Sequence, residues 1–101
     1  MTAQPRRARR IDATQPLIVE RLRAIGAWVK VIADPFDLLV AYHGRWYVLE
    51  VKSPGGRLTS GQERDIESLG DCATVHIVYS FDEALAVLRG TDKLAKNATT
   101  R

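Results

Sequence analysis

The sequence predicts an α/β fold in which a four-stranded mixed sheet is flanked by helices. Three observations support it: a hairpin pattern over residues 36–52, a strand–helix–strand pattern after it, and helical patterns towards both ends of the chain. A two-residue turn joins antiparallel strands, whereas a strand–helix–strand connection joins parallel ones. The predicted order is therefore helix, three strands, helix, strand, helix.

A first helix is predicted between a cap residue, Asp12 or Thr14, and a stop at Gly26. Pro16 is tolerated near its start, because the N–H groups of a first turn have no partner within the helix. Four apolar side chains fall on one side of this helix and form its predicted apolar face: Leu17, Ile18, Leu22 and Ile25.

Residues 27–33 form the predicted first strand, which the dipeptide Asp34-Pro35 ends. Lys30 is expected at the surface of this strand. Four of its neighbours are expected in the core: Trp28, Val29, Val31 and Ile32.

Two capping boxes locate the later helices. Thr59 and Gln62 form a T-x-x-Q box that starts a helix over residues 60–69. Ser80 and Glu83 form an S-x-x-E box before a last helix that ends at Gly90. Residues 74–79, between these helices, form the predicted fourth strand.

The hairpin determines where the polar residues of the sheet meet. Its turn is predicted at His43-Gly44, because runs rich in β-branched and aromatic residues flank a pair whose second member is glycine. Counting from this turn places Asp37 directly opposite Glu50, and directly opposed residues share a face. Lys52 follows Glu50 by two residues and joins the same face.

Both faces of the hairpin also carry apolar residues, so both are expected to be covered. The face of the acids includes Leu39, Trp46 and Val48. The opposite face includes Leu38, Val40, Tyr47, Leu49 and Val51.

The two carboxylates need a neutralising partner. At a separation of about 5 Å and an effective dielectric near 20 they repel by roughly 3 kcal/mol. Lys52 offsets part of this repulsion, but a hard divalent cation such as Mg²⁺, which favours carboxylate oxygens, phosphates and water, fits the pattern better. The ammonium is then available for a phosphate or a water.

These residues carry a family resemblance. Asp37 followed after twelve residues by Glu50-Val51-Lys52 resembles the PD-(D/E)xK nuclease signature. More narrowly, D-L-L-V-A-Y-H-G-R-W-Y-V-L-E-V-K at 37–52 with L-T-S-G-Q at 58–62 looks like the small stand-alone VRR-NUC nucleases of phages and bacteria. The similarity covers residues 12–89.

The resemblance implies a restriction-endonuclease-like αβββαβ core and a Mg²⁺- or Mn²⁺-dependent endonuclease. It implies that Asp37, Glu50 and the backbone carbonyl of Val51 hold the metal, and that Lys52 and Gln62 complete the catalytic set. It further implies branched DNA, a Holliday junction or a flap, as substrate, and a homodimer that places two sites on two strands.

The chain departs from the family pattern in two places. Pro35 stands one position early, which leaves Asp34 as a rival to Asp37 for the first metal ligand. In the first helix, relatives resemble D-A-N-Q-x-E-I-V, and the position of their Glu is Leu17 here. Glu20, one turn later, is an alternative ligand, although a helical turn displaces a carboxylate by about 5 Å.

The net charge of +3 is concentrated in residues 1–10, a predicted flexible basic arm. The arm holds four arginines and no acid, so the other residues sum to 11 basic minus 12 acidic, or −1. Such an arm commonly contacts phosphates without recognising sequence, although a solubilising role is also open. The predicted nucleic-acid contacts are Arg6, Arg7, Arg9, Arg10 and, in the glycine-containing loop 53–57, Arg57.

Residues 11–90 form the predicted single domain, and residues 91–101 a mobile polar tail. Cys72 is the only cysteine, which excludes an internal disulfide and a Cys-based zinc cluster; it is expected to be buried or at a strand edge. There is no bilayer-length apolar run or signal-peptide pattern, so a cytoplasmic protein is expected.

Two other interpretations stay open at this point. One is a non-catalytic module that binds DNA junctions with the same fold. The other treats the acids and Lys52 as a surface salt-bridge cluster in a small interaction domain.

Overall fold

The computed structural model describes the backbone of residues 3–90 and the side chains of residues 13–90. Its elements are α1 (Ala3–Ala24), β1 (Trp28–Val31), β2 (Leu38–Tyr42), β3 (Arg45–Val51), α2 (Ser60–Leu69), β4 (Val75–Val78) and α3 (Phe81–Arg89). The sheet has the order β1-β2-β3-β4, antiparallel except for the parallel pair β3–β4. The predicted α/β fold and its element order are confirmed.

The hairpin has the predicted register. Leu38 pairs with Leu49 and Tyr42 with Arg45, so His43 and Gly44 form the turn. Both turn residues have positive φ, 50° and 82°, as the tight turns that match the twist of a hairpin require. The imidazole of His43 also stacks on the Tyr42 ring, with centroids 3.9 Å apart.

One face of the sheet, here called the core face, packs against α1 and α3. Its fully buried side chains interlock with Ile18 and Leu22 of α1: Leu38, Val40, Leu49 and Val78. The guanidinium of Arg23 donates to the carbonyl of Val29 at 2.8 Å and ties α1 to β1. Nearly all of the described core lies in this one layer.

The buried stripe of α1 differs in part from its predicted apolar face. Ile18, Val19 and Leu22 are buried, whereas Leu17 and Ile25 are exposed. Leu17 is rotated about 100° from Ile18, away from Val19. Ile25 lies beyond the last helical residue, Ala24, in the turn that leads to β1.

Helix α1 begins at Ala3, upstream of the predicted caps at Asp12 and Thr14. The upstream residues are mostly Ala and Arg, which are strong helix formers, so Pro16 lies inside the helix instead of in its first turn. The predicted basic arm overlaps this stretch. The side chains of Arg6, Arg7, Arg9 and Arg10 lie outside the described side chains, and the predicted tail 91–101 lies outside the described residues.

The opposite face of the sheet, here called the site face, is only partly covered. Leu39, Ala41 and Val48 on this face are half-buried, and Trp28 and Trp46 are exposed. Helix α2 contributes no buried residue, because its sequence S-G-Q-E-R-D-I-E-S-L is mostly polar. This face is therefore covered less completely than the core face, and the prediction that Trp28 is a core residue is wrong.

Two further burial predictions are corrected. Val31 points to the core face but is exposed, since it ends the edge strand β1. Cys72 is exposed in the turn after α2, where its N–H donates to the carbonyl of Leu69. Among the described residues, no helix combines the length and apolarity needed to cross a membrane.

Candidate active site

The candidate site lies where the hairpin strands end, one residue past the Leu38–Leu49 pair. The backbone N–H of Val51 donates to Oδ2 of Asp37 at 2.8 Å. The carbonyl of Asp37 accepts the N–H groups of Ile32 and Ala33 at 2.9 and 3.3 Å. These three hydrogen bonds fasten Asp37 to both neighbouring strands, so its carboxylate position is set by the sheet.

Glu50 is the one charged residue buried among the described side chains, at 2% exposure. Its Oε2 accepts two bonds, from Nε2 of Gln62 at 2.8 Å and from Nζ of Lys52 at 3.1 Å. Its Oε1 is buried and has no hydrogen-bond partner. A buried carboxylate is costly unless its oxygens are compensated, so Oε1 marks the position where a further partner belongs.

The donor set around this oxygen suits a hard divalent cation. Asp37, Glu50 and Lys52 together carry a formal charge of −1, which favours an added positive charge. Carboxylate and carbonyl oxygens are the ligands that Mg²⁺ and Mn²⁺ prefer. No group of three or more His, Cys, Asp and Glu side chains is placed for a metal within the described part of the chain. A cation here would therefore depend on the carboxylates of Asp37 and Glu50 together with water or phosphate oxygens, which are ligands that Mg²⁺ accepts.

Gln62, in the first turn of α2, connects this helix to both Glu50 and Lys52. Its Oε1 accepts the N–H of Thr59 at 3.0 Å and Nζ of Lys52 at 3.1 Å, while its Nε2 donates to Glu50. The first two neighbours are donors only and the third is an acceptor only, so only one orientation of the amide satisfies all three. The predicted capping box is complete, because Thr59 Oγ1 also accepts the N–H of Gln62 at 3.1 Å.

This network gives the predicted capping residue a second function. The same amide oxygen that caps α2 also holds the ammonium of Lys52. The backbone of Lys52 is fastened separately, by its N–H to the carbonyl of Val78 at 3.0 Å. Lys52 is therefore positioned at both ends of its side chain.

An open cavity of about 520 Å³ contains these groups. Its lining residues come from the ends of β2 and β3, the loop 53–57 and one position of α1: Gln15, Asp37, Glu50, Val51, Lys52, Ser53, Pro54, Gly55, Gly56 and Arg57. The loop is tightly packed at Gly56, since a Cβ there would lie 3.0 Å from the carbonyl oxygen of Ser53. Arg57 is exposed on this wall, where its guanidinium is available to a phosphate.

Two of the sequence candidates lie elsewhere. Glu20 is exposed and lines an adjoining groove, which shares Gln15 with the cavity, but it does not line the cavity itself. Asp34 is exposed and does not line the cavity.

Gln15 is the site residue that the sequence reasoning missed. It lines the cavity from α1 and is half-buried. A signal was present, because Gln15 falls two residues before Leu17 and matches the Gln in the D-A-N-Q-x-E pattern of the resembled nucleases.

Comparison of the chain with models of known protein families, with curated proteins and with solved structures gave no match. The functional interpretation therefore depends on the residues and the geometry described above.

Proposed function

We propose that the protein is a cytoplasmic, Mg²⁺- or Mn²⁺-dependent endonuclease that hydrolyses phosphodiester bonds in branched DNA. The observation that supports it best is the buried Glu50, whose Oε1 lacks a partner while its Oε2 holds the Lys52 ammonium, beside the carboxylate of Asp37. The preference for a Holliday junction or flap, the homodimer and the VRR-NUC relationship rest on the sequence resemblance.

Asp37, Glu50 and the carbonyl of Val51 would hold the cation. When bound, Mg²⁺ or Mn²⁺ supplies Lewis acidity towards the phosphate and activates water for attack. The remaining chemistry belongs to the side chains of this chain.

Lys52 acts as a donor. Its ammonium has three N–H groups, of which two are directed at Glu50 Oε2 and Gln62 Oε1. The third is available to orient the attacking water or to stabilise charge that develops on a phosphate oxygen. Gln62 is a positioning residue in this mechanism, since it holds Lys52 without an assigned contact to the phosphate.

Arginines bind the DNA backbone outside the reacting phosphate. Arg57 is at the cavity wall, and Arg6, Arg7, Arg9 and Arg10 are proposed to extend this contact from the first residues of the chain. Such contacts are independent of sequence and weaken as salt increases.

A cleavage panel tests the activity. Purified protein is incubated with labelled duplex, flap and four-way-junction DNA, with Mg²⁺, with Mn²⁺ or with chelator. We expect metal-dependent cutting of the branched substrates that is lost in Glu50→Ala and in Lys52→Ala. Glu67→Ala removes an exposed acid of α2 outside the cavity and is the matched control. Cutting that persists in the Glu50 and Lys52 variants would remove the assignment.

Thermal unfolding tests the cation separately from turnover. A ligand present at 100 times its Kd stabilises the folded state by about 2.7 kcal/mol, or roughly 10–20 °C in Tm for a chain of this size. We expect Mn²⁺ to raise the Tm of the wild type but not that of Glu50→Ala. Equal shifts in both proteins would place the cation elsewhere.

A non-catalytic junction-binding module is the second candidate. It is favoured by Leu17, which is 45% exposed at the position where the resembled nucleases have Glu, so that the described side chains of α1, residues 13–24, bring no carboxylate to the cavity. Metal-independent binding of junctions, with no cutting at any divalent cation, would support this function over the first.

A further inference from the structure

Two exposed tryptophans lie on the site face near the hairpin turn. Trp28 of β1 is 52% exposed and Trp46 of β3 is 66% exposed. Their rings meet edge to face, with centroids 6.0 Å apart and planes at 90°. Large aromatic side chains are mostly buried in folded proteins, so an exposed pair indicates a binding surface.

The sheet register explains how the two rings meet. Ala41 pairs with Trp28 on one side and with Trp46 on the other, so all three share one row of the site face. The small Ala41 side chain leaves room for the indoles to approach above it. In an edge-to-face pair, one ring uses only its edge, so both of its faces stay available to a third ring.

The pair lies on the same face as the candidate active site. Trp46 precedes Glu50 by four residues along β3, which corresponds to about 13 Å. Lys30 lies between them, in the row formed by Lys30, Leu39, Val48 and Val75. The two rows nearest the tryptophans contain no acid, so this part of the face suits a polyanion.

We propose that Trp28 and Trp46 form a stacking platform for the bases of an unpaired nucleic-acid strand that continues from the scissile phosphate. This inference rests on the proposed nuclease function and specifies its substrate as DNA with a single-stranded branch. About 13 Å spans roughly four nucleotides at the helical rise and fewer in an extended strand. Aromatic stacking of one base raises affinity by about 5- to 150-fold, with little dependence on sequence.

The area of the pair favours bases over a second copy of this chain. At 52% and 66% exposure, two indoles of at most about 250 Å² each offer about 300 Å². A stable protein interface needs about 800 Å² from each partner. The pair alone is therefore too small to form a stable dimer interface.

Equilibrium binding of flap DNA tests the platform. Two flaps are compared, one intact and one with abasic residues at the first four unpaired positions, which keeps the phosphates and removes the bases. Fluorescence anisotropy is measured in chelator, so that metal-dependent cutting does not interfere. We expect wild type to bind the intact flap at least about 5-fold tighter, and Trp46→Ala and Trp28→Ala to lose this difference.

Two variants separate stacking from folding. Trp46→Phe keeps an aromatic face and is expected to retain part of the preference for the intact flap. Ile25→Ala removes an exposed apolar side chain outside the site face and is expected to keep the full preference. Circular dichroism and Tm are compared across all variants.

Equal binding of the two flaps by wild type, or an undiminished preference in Trp46→Ala, would overturn the platform. Sedimentation that shows a dimer dissociating in the Trp→Ala variants would also overturn it, because the pair would then be an interface between copies. The nuclease proposal fails independently: a protein that prefers the intact flap but cuts no DNA keeps the platform and loses the activity. A protein that cuts branched DNA but binds the two flaps equally keeps the activity and loses the platform.

Discussion

The two faces of the sheet are built from alternate residues of the same strands, yet they are used in opposite ways. On the core face, Val29, Leu38, Val40, Leu49 and Val78 are buried under two helices. On the site face the apolar residues are half-buried or exposed, and the one residue that is fully covered is the charged Glu50. The well-packed core face therefore stabilises the fold enough for the site face to keep groups in energetically unfavourable positions.

The two faces differ physically in which groups they remove from water. Burial of apolar area on the core face supplies most of the stability. A buried carboxylate with an unpaired oxygen and two exposed indoles on the site face reduce it. Groups that are unsatisfied in the folded chain are available to a ligand, which is why the site face is the candidate for function.

The largest effect is expected from a change that affects the site face without unfolding the core face. Asp37→Asn keeps an acceptor for the Val51 N–H but removes one of the two carboxylates. We expect cleavage to fall by about 1000-fold or more, because metal chemistry contributes several kcal/mol to the reaction, while the free energy of unfolding changes by less than about 1 kcal/mol. Cleavage assays and urea unfolding measure the two quantities.

Asp34→Asn is the matched control for Asp37→Asn. Asp34 is exposed and outside the cavity, so its loss is expected to leave cleavage within about 2-fold. The reverse result, with Asp34 essential and Asp37 dispensable, would exchange the two assignments.

Two adjacent leucines compare the faces directly. Leu38 is fully buried on the core face, so Leu38→Ala is expected to reduce the free energy of unfolding by about 2–5 kcal/mol. Leu39 is half-buried on the site face, and the same truncation is expected to reduce it by less than about 1.5 kcal/mol. Urea titration of both variants measures the difference. Equal losses would mean that α2 covers the site face as completely as α1 and α3 cover the other.

Gln62 tests whether the two functions of its amide are separable. Gln62→Leu removes the bonds to Glu50 and Lys52, and we expect cleavage to fall by about 10- to 100-fold, as for other residues that orient ligands or catalytic groups. Thr59→Ala removes only the hydroxyl half of the cap. It is expected to cost about 1 kcal/mol of stability and to leave cleavage nearly unchanged. A 10-fold loss of cleavage in Thr59→Ala would show that the capping of α2 and the positioning of the catalytic groups cannot be separated.

The smallest effect concerns the polar helix of the site face. Gly61 lies in the first turn of α2, and a Cβ there would have no contact closer than 3.8 Å. Gly61→Ala is therefore expected to raise the free energy of unfolding by about 0.5–1 kcal/mol, because Gly loses more backbone entropy on folding. Gly44→Ala is the contrasting variant, expected to lower it because φ is 82° at that position. Thermal unfolding shows whether each variant raises or lowers the free energy of unfolding.

Local signals in the sequence determined the hairpin register and with it the meeting of Asp37, Glu50 and Lys52. A two-residue turn and a period of two leave no freedom in which residues oppose each other, so a count along the chain was sufficient. The Thr59–Gln62 box was equally local, since it depends on four consecutive residues.

Tertiary packing alone decided which residues of the site face are buried and which side chains from the helices contact the candidate site. The exposure of Trp28, the arrival of Gln15 instead of Glu20 at the cavity, and the bonds of Gln62 to Glu50 and Lys52 all depend on how α1 and α2 lie against the sheet. Burial is a property of distant elements packed together, whereas register is a property of neighbours along the chain. The isolated oxygen of Glu50 therefore became visible only in the folded structure.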